Sequence, residues 1–162
     1  NDRLGDINSD FVKSHFSGDM ATRTVFDMSS GFLGAMYLGG RPDLCDAQSK
    51  QILKNAVSAY KEVREVIASS HYVHIDDWIL IGEEKVTAAA LKSEKFGKGI
   101  VTVWNIGTEA DEKIFDLSAL GDIKALKPLC IINETTNFVL DRNSLKVSFD
   151  KGLSAAVFSV DL

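Results

Sequence analysis

What this chain of 162 residues lacks narrows its function before anything it contains. It has no basic cluster: the densest lysines, Lys92, Lys95 and Lys98, are interrupted by Glu94, and the net charge is −5. Proteins that bind nucleic acid display a concentrated basic face, so no nucleic-acid partner is expected, and the three lysines read as a solvated hairpin tip. There are only two cysteines, Cys45 and Cys130, in unrelated local contexts. Nothing in their surroundings supports a disulfide, and Cys130, within PLCII, reads as a small buried hydrophobe. No apolar run approaches the roughly 20 residues that span a bilayer, so no membrane partner is expected. The opening, NDRLGDINSD, is polar and unpatterned rather than signal-like, and is expected to continue from an upstream neighbour in a longer protein. The compartment stays open.

Motifs for common chemistries are missing as well. No GxxxxGK[ST] and no GxGxxG lies between a strand and a helix, which removes the two phosphate-cradling fingerprints. No GxSxG elbow presents a serine nucleophile. His71 and His74 stand in HYVHIDD with Asp76 and Asp77, but on a regular strand the two imidazoles point to opposite sides, so no metal site is expected there and the four side chains read as a polar rim. Adjacent acids such as Asp76–Asp77 and Glu83–Glu84 read as turns, because acid–base catalysis needs two carboxyls held across a cleft with separated pKa values. Trp78, Trp104 and Tyr72 suit either a carbohydrate platform or a sandwich core, and core is the commoner role for aromatics on alternating strands. No cofactor is implied.

What is present is enough to fold. Apolar residues make up 45% and charged residues 25%, the balance of a globular domain with a real core. Residues 46–69 place Ile52, Leu53, Ala56, Val57, Tyr60, Val63 and Ile67 three and four apart, with Lys50, Lys54, Lys61 and Glu65 opposite. That is an amphipathic helix, capped at its start by Asp43 or Asp46. Shorter helices are expected over 9–16 and 20–29. Between them and the long helix, SSGFLGAMYLGGRPDLCD holds an apolar run set among glycines, which predicts a strand over 33–38 buried on both faces, turning at Gly39–Gly40. Beyond residue 70 the pattern changes to short runs of period two separated by Gly, Asp, Asn and Glu. In SLKVSFD, Leu145, Val147 and Phe149 share one side; in LSAAVFSVDL, Ala156, Phe158, Val160 and Leu162 do. Such runs predict an antiparallel sandwich.

The block GFLGAMYLGGRPDLCDAQSKQILKNAVSAYKEVREVI resembles the end of the catalytic barrel in α-galactosidase-type glycoside hydrolases of families 27 and 36, where a glycine-punctuated strand leads through an acidic turn into a long helix with a YKEVR-like end. GIVTVWNIGTEADEKIFDLSALGDI and the final GLSAAVFSVDL resemble the antiparallel C-terminal domain of the same enzymes. Together these blocks cover most of 29–162 in the family's order. The resemblance implies mixed α and β architecture: residues 1–70 as the last part of a (β/α)8 barrel and 71–162 as a C-terminal antiparallel β-sandwich.

It also implies a retaining enzyme with two catalytic aspartates, about 5 Å apart, on earlier barrel strands. Neither aspartate's motif is matched here, so no catalytic residue is carried over. The family's strand commonly ends in Asp-Leu, whereas here Gly39, Gly40 and Arg41 follow it; Arg41, as a loop residue at the barrel mouth, is the candidate for substrate binding. The expected function is that of the C-terminal part of a carbohydrate-active hydrolase, inactive alone, meeting its carbohydrate through the parent enzyme. The alternative is a non-catalytic carbohydrate-binding or structural accessory sandwich. A barrel strand without neighbours exposes apolar surface and free edges, so residues 1–70 are expected to self-associate as a homo-oligomer or stay partly disordered.

Overall fold

The computed structural model describes residues 20–38, 42–77, 85–129 and 136–162. The helix expected over 9–16, the Gly39–Gly40 turn, Arg41, Trp78 and Cys130 lie outside them. Helix α1 (Met20–Ser30) runs into a 3-10 turn (Gly31–Leu33); a second 3-10 turn (Pro42–Leu44) precedes the long helix α2 (Ala47–Ala68). Among the described residues eight strands follow: β1 (His71–Val73), β2 (Val86–Ser93), β3 (Lys98–Asn105), β4 (Asp111–Asp116), β5 (Ala125–Pro128), β6 (Thr136–Asp141), β7 (Ser144–Phe149) and β8 (Ser154–Asp161). They form two antiparallel sheets, one of five strands in the order β1-β2-β3-β8-β5 and one of three in the order β4-β7-β6. Fold class is therefore mixed α and β with an antiparallel sandwich, as the patterning predicts.

Helix α2 begins and ends where its sequence says it should. Asp46 sits in extended backbone and its Oδ1 accepts from the Ser49 N–H at 2.7 Å, satisfying one of the free donors of the first turn. At the other end the Ser69 N–H donates to the carbonyls of Glu65 and Val66. The stripe Ala56, Ala59, Val63, Val66 and Ile67 is buried against Leu91, Ile100, Leu129 and Val157, together with Met28 and Phe32 from the α1 side. Phe32 is fully buried and meets the Tyr60 ring edge-on at 5.8 Å. Burying one such ring contributes on the order of 2–3 kcal/mol.

The helices thus cover one face of the five-stranded sheet while the three-stranded sheet covers the other. Val86, Ala88, Ala90, Val101, Val103, Ala156, Phe158 and Val160 point between the sheets and meet Phe115, Leu145, Val147 and Phe149. Phe158 packs edge-on against Phe138 with centroids 5.0 Å apart. Double coverage explains why β3 is buried at almost every position and why Ala155 and Val157 of β8 are as buried as the alternate set. β7, at the centre of the outer sheet, keeps strict alternation because only one of its faces is covered.

One expected element is absent from the described residues. Residues 33–38 do not form a strand: Gly31–Leu33 is a 3-10 turn, 34–38 is irregular, and Tyr37 and Leu38 are 89% and 52% exposed. A strand buried on both faces needs ladder partners, and no described strand pairs with this segment. The Tyr60 hydroxyl meets part of the demand instead, donating to the Gly34 carbonyl at 2.8 Å and accepting from the Met36 N–H at 3.4 Å.

At one end of the sandwich, Asn105 is fully buried and ties two loops together. Its Nδ2 donates to the carbonyls of Glu109 (2.8 Å) and Lys151 (3.2 Å), and its Oδ1 accepts from the Gly107 N–H at 3.1 Å. The same loops touch at Gly152, where a Cβ would lie 2.2 Å from the Gly107 carbonyl oxygen. Only a residue without a side chain fits that approach.

Candidate functional site

Three places could carry function on the sequence reading, and the fold separates them. The first is the crevice between α1 and the start of α2. A half-open cavity of about 280 Å³ lies there, lined by Met28, Tyr37, Leu38, Pro42, Cys45 and Leu53 together with the polar Thr24 and Asp27. The turn into α2 places it: Pro42 opens the second 3-10 turn, the Cys45 N–H donates to the Pro42 carbonyl at 3.3 Å, and Asp46 then starts the helix. Cys45 is a free thiol. Asp27 pairs with Arg23 at 3.5 Å across one helical turn. The lining is largely apolar, and it suits the covering of apolar surface better than the positioning of a charged reactant.

The second place is HYVHIDD. His71 and Tyr72 are exposed on β1, an edge strand, and His74 is exposed just after it. Asp76 does not belong to a polar rim. Its side chain is only 6% exposed, and its Oδ1 accepts from Lys113 Nζ at 2.6 Å while its Oδ2 accepts from the Ala88 N–H at 3.2 Å. Lys113 stands on β4 and Ala88 on β2, so this carboxylate bridges the two sheets. The Lys113 ammonium also lies 5.2 Å from the centre of the Phe115 ring. Among the described residues no three His, Cys, Asp or Glu side chains gather as metal ligands. Asp76 is therefore committed to an inter-sheet clasp.

The third place is the aromatic platform. Trp104 is 9% exposed on the helix-facing side of β3, in register with Ala155 and Thr87, so it is a core residue. Tyr72 is half-exposed. The platform therefore loses one of its three rings to the core.

The fold itself is found in known proteins. No family model and no curated protein matches the chain in sequence. Solved structures match in three dimensions, two bacterial proteins among them. One is described as a "putative alpha-N-acetylgalactosaminidase" from Bacillus halodurans, 14% identical with a TM-score of 0.54. The other is an alpha-amylase from Geobacillus thermoleovorans in complex with acarbose, 16% identical with a TM-score of 0.56. The likeness is one of fold. Each match covers 88% of this chain but only 32% and 34% of the solved chains, so this chain spans about a third of their length. Both proteins are by name glycoside hydrolases, and the helix-covered antiparallel arrangement described above is one they carry within longer chains.

Two carboxylates on the outer sheet have perturbed acidity for local reasons. Hydrogen bonds from Lys146 (2.8 Å) and Ser148 (3.1 Å), with the charge of Lys146, hold Glu112 below the ordinary carboxylate range. Asp116 is lowered by the Ser118 backbone N–H at 2.9 Å and by the Ser118 side chain. Both are exposed, and each is absorbed by its own neighbours rather than aimed at a cleft.

Proposed function

We propose that this chain is the C-terminal part of an α-galactosidase-like retaining glycoside hydrolase, made of the last elements of a catalytic barrel and the antiparallel domain behind them. The observation that carries this reading is the fold. Helices pack on one face of a five-stranded antiparallel sheet backed by a three-stranded one, and the same arrangement occupies a third of two glycoside hydrolases. The resemblance of the YKEVR-ending helix and of the strand blocks after it supplies the finer assignment. On this reading the nucleophile and the acid–base aspartate belong to barrel strands that precede these residues, and the 162-residue chain hydrolyses no glycoside. The apolar crevice at Tyr37, Leu38 and Leu53 is then the open edge of the barrel segment.

The residues encoded ahead of Asn1 provide the test. Two aspartates at barrel-strand ends, in the family's order, support the assignment; an upstream sequence without them removes it. Arg41 is the proposed substrate contact at the barrel mouth. In the longer enzyme, Arg41→Ala is expected to raise KM for an aryl α-galactoside about tenfold, the loss of one charge-assisted hydrogen bond, and an unchanged KM removes Arg41 from the site. The accessory-module alternative needs an exposed ring platform, and the burial of Trp104 weakens it.

A further inference from the structure

We draw no further inference here: the strongest candidate, the exposed apolar face of Tyr37, Leu38 and Leu44 around the cavity between α1 and the start of α2, belongs to the barrel edge already proposed, and nothing in the structure shows any other partner covering it.

Discussion

Replacing Asp76 with alanine is the sharpest test of how the two sheets are held together. The wild-type carboxylate is 6% exposed and accepts from Lys113 Nζ at 2.6 Å and from the Ala88 N–H at 3.2 Å. Removing one member of a fully buried ion pair costs about 3–5 kcal/mol, because the other charge is left without a partner. Here Lys113 is 33% exposed and regains water on its open side, which lowers the cost. The Ala88 N–H, on β2 of the five-stranded sheet, is left short of an acceptor, which adds about 1 kcal/mol or more. The expected total is about 2–3 kcal/mol. At roughly 2–4 °C per kcal/mol for a domain of this size, Tm falls by about 4–12 °C. Urea unfolding of wild type, Asp76→Ala, Lys113→Met and the double variant reads both the loss and the coupling, and the pair should be coupled by about 1–2 kcal/mol. A loss below about 0.5 kcal/mol for Asp76→Ala, or additive single variants, would refute the clasp.

Two other outcomes follow from the structure. Gly152→Ala places a methyl 2.2 Å from the Gly107 oxygen and 2.4 Å from the Thr108 carbonyl carbon, both backbone, so the loops around Asn105 must separate. A loss of about 3 kcal/mol or more is expected in denaturant unfolding, and a variant as stable as wild type contradicts the packing. The pKa of Asp116 is held below the ordinary carboxylate value by Ser118, so its contribution to stability is present above the unfolded carboxylate pKa and is lost as pH falls through the lower folded value. Asp116→Asn should therefore flatten the acid limb of the stability profile slightly; an NMR titration placing the wild-type carboxyl at or above its usual value overturns that account.

The parts of the fold legible in the sequence were those whose signal is local. The spacing of Ala56, Val63 and Ile67 and the Asp46 cap define α2 without reference to anything distant. Leu145, Val147 and Phe149 show alternation because only one face of β7 is covered. Where both faces are covered, as in β3 and β8, periodicity is erased, and the sequence does not say that the second cover is helical. The segment 33–38 misleads for the opposite reason: its apolar run marks a strand, but a strand exists only where another pairs with it. Asp76 was hidden because its partner, Lys113, is distant in sequence and adjacent only once the sheets stack. The candidate site was less legible than the fold: Trp104 moved to the core as the patterning favoured, whereas Arg41 rests on resemblance alone.

Hydrolysis of an aryl α-galactoside, followed by release of the phenol, tests the central claim most directly. It is measured on this 162-residue chain and on the longer enzyme of which we propose it is part. The account predicts no turnover above background from the chain and enzymatic turnover from the longer protein. Sustained turnover by the chain alone, or a longer protein that cleaves no glycoside, would contradict it.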